Sequence, residues 1–519
     1  MLRAFAVFFL LVVLCGLFSN VAGFALQQEQ DQAACELPEV RRELLRRQEA
    51  DQMARRQVSS NDTPQELIDQ IVAIDRENRE WLSQIIDEHG FPGKRLAGRD
   101  GASAAWLIVQ HADQDLPFQR RCLDLIHALP DGEVDPVNIA YLTDRVLVNE
   151  GKPQRYATQM TMRDGKLAFQ DLEDPDNVDA RRAEVGLPPA AEYLRQSAIT
   201  FGLEQPVYDH HVHVLSPRLL EDWKSLGMEF SRDDEQYTEI GQVLQCTGAD
   251  RIVAVSMAYL YGSEWFDEVT GNEAAEIEAV RAENDYIARC VANSRGRSVG
   301  FFSVNPLSGY AIEEIRRCEG DARLSGLKLH FPASGVDIAD DEHLEKLRAV
   351  FRLCSENGIP ILVHPATADV DSFGTAGASR FWRELVEDDP QLKLIIAHLG
   401  ASGGIGPNSI ALMNGYLELR ERKAEFVDAG IYFDLSGAVL AHELDGLPAT
   451  TDEQCLALAE TMREIGLDRF LPASDYPAIN PDEMRQTLLE RLPLGDSEFE
   501  RLRSNSAPFI DVHFTWASR

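Results

Sequence analysis

The sequence predicts an α/β chain, a (β/α)8 barrel of TIM type preceded by a mainly helical N-terminal domain and a signal peptide. Eight short apolar runs carry the prediction: Val207–Val214, Arg251–Met257, Val299–Asn305, Gly326–Phe331, Pro360–Ala366, Leu392–Gly400, Gly430–Gly437 and Phe470–Pro477. They alternate with longer helical stretches, the pattern of βαβ units in a parallel sheet. Eight such units in roughly 300 residues favour a barrel over an open doubly wound sheet. Histidines also collect at the carboxyl ends of these runs, where a barrel builds its active site.

Length and charge bound the rest. A chain of 519 residues with 44% hydrophobic content is globular and long enough for two or three domains. Its 86 acidic residues against 50 basic ones give a formal charge of −36, which argues against nucleic acid and anionic membrane as partners. A small-molecule substrate is the expected partner, and a homo-oligomer stays open.

At the N-terminus, Arg3 supplies a positive n-region and Ala4 to Phe18 an apolar core, with small residues around Ala22-Gly23 for cleavage. Residues 1–25 therefore read as a signal peptide, and the mature protein as periplasmic or extracellular. An uncleaved anchor is the alternative, although the apolar core is short for a span. Seven cysteines remain after cleavage, scattered and with no Cys-x-x-Cys pair. They indicate neither a disulfide framework nor a thiolate metal site, though an oxidising compartment would allow one or two bridges.

Residues 26–61 are rich in Gln, Glu, Asp and Arg and are expected to be a flexible or loosely helical lead-in. A helical domain is expected over 62–198. Thr63-Pro64-Gln65-Glu66 marks a helix start, and Leu67, Ile71, Ile74, Trp81, Ile85 and Ile86 recur at helical spacing up to His89-Gly90. Ala102–His111, Pro117–Leu129 and Asn138–Val148 read as further helices. His111, Asp113, Asp144, Arg145 and Gln159 form either a small polar site or a buried network that fixes the helices. The stretches Trp106–Asp113, Ala140–Arg145, Gln154–Gln159 and Arg181-Arg182 resemble an uncharacterised bacterial domain, which implies no activity.

The barrel, expected over 205–512, carries the chemistry. On the first strand His211 and His213 share a face because side chains alternate, and two imidazoles on one rigid strand can grip a borderline divalent metal. The fourth strand ends in Lys328-Leu329-His330, the fifth in His364-Pro365 and the sixth in His398-Leu399-Gly400. The seventh brings Asp434-Leu435-Ser436 and the eighth Ser474-Asp475-Tyr476-Pro477.

Asp209-His210-His211-Val212-His213, Lys328-Leu329-His330, Val363-His364-Pro365, Ala397-His398-Leu399-Gly400 and Ser474-Asp475-Tyr476-Pro477 together resemble the amidohydrolase superfamily, in its amidohydrolase-related branch. The resemblance implies one divalent metal, usually zinc, held by His211, His213, His364 and Asp475. His398 and Asp475 would be the catalytic acid/base residues. The activity implied is a metal-dependent hydrolase that attacks a C–O or C–N bond (lactone, ester or amide) with a metal-activated water. The branch also holds non-oxidative decarboxylases of small aromatic or enoic acids, and that lyase reaction is the alternative. Lys328 either bridges a second metal as a carboxylated lysine, with His398 promoted to ligand, or binds an anionic substrate group with His330. Asp434 and Ser436 would line the mouth or brace the ligands, and Ser436 is a candidate substrate contact. Arg380 and Trp382 either bind a carboxylate or form an ordinary helix start. Asp209 and His210 are expected to be structural neighbours.

Overall fold

The computed structural model describes residues 35–58, 63–367, 373–444 and 447–517, without the side chains of 424–429 and 515–517. The expected signal peptide lies outside the described residues. The chain divides between Gln205 and Pro206 into two compact units.

The first unit is helical: Pro38–Arg55, Gln65–His89, Lys94–Gln110, Leu116–His127, Pro136–Asn149, Val178–Glu184 and Ala190–Thr200. Its core gathers Leu44, Leu82, Trp106, Leu107, Leu142 and Val146. Of the flexible or loosely helical lead-in expected over 26–61, Pro38–Arg55 forms a regular helix. That helix docks largely through polar side chains, so its apolar periodicity is weak. Arg41 makes a bidentate pair with Asp100, at 2.8 and 2.6 Å, and Arg55 lies between Asp51 and Asp75. A hairpin of Met160–Arg163 and Lys166–Phe169 turns at Asp164-Gly165, both with positive φ. Asp-Gly between two short alternating runs is a hairpin signal in the sequence.

The second unit is the barrel. Its eight parallel strands are β1 Tyr208–His213, β2 Arg251–Val255, β3 Ser298–Ser303, β4 Leu324–His330, β5 Ile361–His364, β6 Leu394–Ile396, β7 Ile431–Asp434 and β8 Phe470–Leu471. Each pairs with the next in chain order. The ring closes just past β8, where the amides of His210 and His213 donate to the carbonyls of Pro472 and Tyr476 at 2.9 and 2.7 Å, and Asp475 N–H donates to the His211 carbonyl at 2.8 Å.

Parity along the strands decides which side chains enter the barrel. Val253, Val255, Val299, Phe301, Leu362, Ile395, Tyr432 and Leu471 form one interior cluster. Their neighbours Ile252, Ala254, Phe302, Ile361, Val363, Ile396, Ile431, Phe433 and Phe470 face outward into the core that the surrounding helices cover. Phe301 fills the interior so fully that a Cβ on Gly326 would overlap its ring, so β4 needs glycine there. The C-terminal helix Pro508–Ala517 joins the interior cluster through Phe509, Ile510 and Phe514, and Asp511 accepts the Tyr208 hydroxyl at 2.7 Å. Interior parity continues past the apolar layers to Lys328, His364 and Asp434, and on β1 to Asp209, His211 and His213. The same alternation that packs the core thus delivers polar groups to the carboxyl end.

Candidate metal centre

Three of the four expected ligands meet. One ligand atom each from His211, His213 and Asp475 lies within 4.8 Å of the others. Asp475 Oδ1 is 3.5 Å from His211 Nε2 and 3.2 Å from His213 Nε2. His211 is fully buried and His213 nearly so, while the Asp475 side chain keeps 18% of its surface open at the mouth.

The hydrogen bonds fix the tautomers. Asp434 Oδ2 lies 3.0 Å from His211 Nδ1. An ionised carboxylate only accepts, so Nδ1 carries the proton and Nε2 presents a lone pair. Asp434 is held ionised. Burial pushes it upward, but His211, His398 and the Ser436 hydroxyl outweigh this and keep it well below the usual carboxylate range. His213 Nδ1 is 3.3 Å from the Val255 carbonyl, which again can only accept, so its Nε2 is also bare. Two lone pairs and a carboxylate oxygen thus converge. Acceptors packed this way repel one another unless a cation stands among them, and nitrogen with oxygen suits a borderline divalent ion. The donor set fits a metal.

Lys328 offers the competing cation. Its Nζ sits 3.1 Å from His211 Nε2, and burial lowers its ammonium to a pKa of about 8 against the pull of Asp475 and Asp434. Burial, with the Lys328 charge adding to it, drops His211 to about 3 and keeps its ring neutral.

Asp434 also accepts from the His398 amide at 2.9 Å, the Ser436 amide at 3.1 Å and the Ser436 hydroxyl. It ties β1, β6 and β7 together. His398 Nδ1 donates to the Ser436 carbonyl at 3.1 Å, leaving Nε2 free to face Asp475 Oδ2 at 4.0 Å. Three residues here hold strained backbone, with positive φ at His398 (51°), Leu399 (55°) and Asp475 (65°). Such strain persists where surrounding bonds over-determine it, typically at functional sites.

His364, the fourth expected ligand, is not brought into the group of three. Its ring stacks on His330 at 4.1 Å and meets His398 edge-on at 4.8 Å, and its Nε2 is 3.4 Å from Ser402 Oγ. Burial first, then the charges of neighbouring imidazoles, holds it well below the usual histidine range. His330 accepts the Ala333 amide at Nδ1 and stacks on Tyr259. Ser402 and Tyr259 are site neighbours that carry no motif or periodic signal.

Other expected residues are placed elsewhere. Asp209 accepts the amides of Ser474 (2.9 Å) and His211 (3.3 Å), and His210 bonds the Pro472 carbonyl and the Ser506 hydroxyl, so both stitch β1 to the end of the barrel. Arg380 bonds the Ala339 carbonyl and Asp341, and Trp382 is buried with its indole N–H on the Leu412 carbonyl. In the first unit the five polar candidates do not converge. Asp144 accepts the amides of Arg155, Tyr156 and Thr158, His111 Nδ1 lies 2.9 Å from Asp51, and Arg145 bonds Asp113 at 3.3 Å. The seven described cysteines are all free.

Two family models match the chain. Residues 38–205 match a family of unknown function, DUF6624, and residues 208–507 match the family described as amidohydrolase. No curated protein matches. Solved structures with a similar barrel include 5-carboxyvanillate decarboxylase from Sphingomonas paucimobilis, 14% identical over 59% of this chain and 99% of that one, with a TM-score of 0.42. A 2,6-dihydroxybenzoate decarboxylase from Rhizobium is 15% identical over 60% and 99%, TM-score 0.41. A 4-oxalomesaconate hydratase from Rhodopseudomonas palustris is 17% identical over 60% and 98%, TM-score 0.39. Likenesses this distant say nothing of substrate. The amidohydrolase match spans more than half of the sequence and all eight barrel strands, and by it this chain belongs to the amidohydrolase family.

Proposed function

We propose that the barrel is a metal-dependent hydrolase acting on a C–O or C–N bond of a small polar substrate. The supporting observation is the convergence of His211 Nε2, His213 Nε2 and Asp475 Oδ1, three acceptors that need a cation. The ion is one zinc, held by these residues, with His364 one ring away. When bound, it supplies Lewis-acid activation of water and of the scissile carbonyl.

The chain's own groups supply orientation and proton movement. Asp434 keeps His211 and the His398 loop in place. His398, with Nδ1 committed to the Ser436 carbonyl, turns Nε2 toward Asp475 Oδ2, so the two flank one point from which a water's proton can leave. The proton then passes to the leaving oxygen or nitrogen. Lys328, deeply buried with its Nζ 3.1 Å from His211 Nε2, gives up that contact when the ion takes the His211 lone pair, and its ammonium is then the group for an anionic part of the substrate, with His330 and Ser436 beside it. The protein is exported, with residues 1–25 as its signal.

The lyase alternative uses the same pocket. A substrate carboxylate set against Lys328 and the metal would leave as carbon dioxide, with a proton returned to the ring or alkene carbon. Incubating the metal-loaded protein with a panel of lactones and hydroxybenzoic acids separates the two. Acid release from a lactone without carbon dioxide is the expected result. Stoichiometric carbon dioxide from an aromatic acid, with no lactone turnover, would replace the hydrolase reading by the lyase one.

A further inference from the structure

Outside the barrel mouth, a surface cleft of about 290 Å³ lies between the start of the helix Pro217–Ser225 and the helix Glu273–Asn293. Glu283 lines it and is 1% exposed. Its Oε1 accepts the Ser216 amide at 3.2 Å, but its Oε2 is buried with no hydrogen-bond partner. A buried carboxyl oxygen left unmatched is destabilising, so a fold keeps one where a ligand or water completes it. Tyr261 and Tyr286 form the walls. Their hydroxyls are committed to Asp222 and to the Thr238 carbonyl, so they present aromatic faces. Arg289, exposed at the rim, stacks on Tyr286 at 5.3 Å and has no ion pair among the described residues. Arg218 stacks on Tyr261 at 5.7 Å and reaches Asp222 only at 3.6 Å. The cleft therefore has an acceptor inside, an apolar middle between aromatic faces, and guanidinium groups outside.

We propose that this cleft is a second small-molecule site, for a free amino acid bound with its ammonium on Glu283 Oε2 and its carboxylate on Arg289 and Arg218. The volume holds roughly ten waters at about 30 Å³ each, enough for a molecule of that class. Ala279 and Ala282 on the same helix leave room for a side chain. The site also adjoins the turn that leaves β1. Ser216, whose amide Glu283 holds, is three residues past His213, so an occupant is positioned to modulate the metal site through that turn.

Isothermal titration of the full chain with L-alanine, L-leucine and L-glutamate tests this, on protein stripped of metal with chelator so that the barrel site does not contribute. At least one of the three should give a one-site isotherm. Its N-acetyl derivative, which lacks the ammonium, should bind at least tenfold more weakly. Glu283→Gln keeps the Ser216 bond through its carbonyl and turns an NH2 into the cleft, so binding should fall tenfold or more. Arg289→Gln should weaken binding less, because Arg218 remains. Ala282→Leu, at an exposed position, blocks the cleft without touching Glu283 and should abolish binding. Absence of saturable binding by all three amino acids would mean that water alone completes Glu283, and would overturn the proposal. Unchanged affinity in Glu283→Gln or in Ala282→Leu would overturn it equally.

Discussion

Asp434 Oδ2 stands 3.0 Å from His211 Nδ1 and thereby decides which His211 nitrogen faces Asp475. The same carboxylate anchors the His398 and Ser436 amides. Asp434→Asn should loosen three groups at once, since an amide can meet His211 Nδ1 with a donor or with an oxygen, but cannot satisfy all the donors around it. Groups that orient metal ligands typically contribute 10–100-fold in affinity or activity. The expected result is a fall of that size in metal affinity, read by chelator competition, with far-UV circular dichroism unchanged.

Lys328 separates one metal from two. Lys328→Met removes the ammonium from His211 and retains most of the side-chain volume. If Lys328 binds a substrate anion, metal content stays constant while kcat/KM falls roughly 10–100-fold, the 1.5–3 kcal/mol of a charge-assisted hydrogen bond. If it bridges two ions, metal per chain falls as well. Elemental analysis beside steady-state kinetics distinguishes them.

How much of this was legible in the sequence follows from how each group is used. The polar side chains of the site lie on strand ends with strict alternation, so His211, His213, Lys328, His364 and Asp434 fall on the interior face by counting from the apolar layers. Asp475 is different. It sits past β8 with positive φ, in a segment that pairs with β1 through backbone bonds, and only its neighbours in the motif marked it. Asp434's part as the common brace of His211 and the His398 amide needs three strands in register, which no local pattern encodes. The first helix, Pro38–Arg55, was hidden because Arg41, Asp51 and Arg55 dock it where apolar residues usually would. The hairpin at Asp164-Gly165 is encoded locally, by an Asp-Gly pair whose positive φ suits a tight turn.

Glu283 makes stability depend on pH. Burial raises its carboxyl from 4.5 to about 7. For a group whose folded pKa is raised, the stabilisation of its neutral form is complete below the unfolded value and is lost as pH rises through the folded one. The loss between about pH 4.5 and 7 is on the order of 3 kcal/mol. Glu283→Gln should abolish that component, so its urea-melt advantage over the wild type should grow from pH 5 to pH 8. A constant difference across that range would contradict it.

Gly326→Ala tests the packing below the site. The added methyl meets the Phe301 ring inside the barrel, and overpacking of this kind costs typically 1–3 kcal/mol. A lowered urea midpoint with unchanged m-value is expected. Because Lys328 follows two residues later on the same face, kcat/KM should fall with it.

The proposed binding of a divalent ion by His211, His213 and Asp475 can be measured directly. Elemental analysis of the purified full chain, with a folded His211→Ala/His213→Ala variant beside it, tests this most directly. About one equivalent per chain in the wild type and essentially none in the variant is the predicted result. Full metal retention in the variant, or no metal in a wild type that has been offered zinc and manganese, would contradict it.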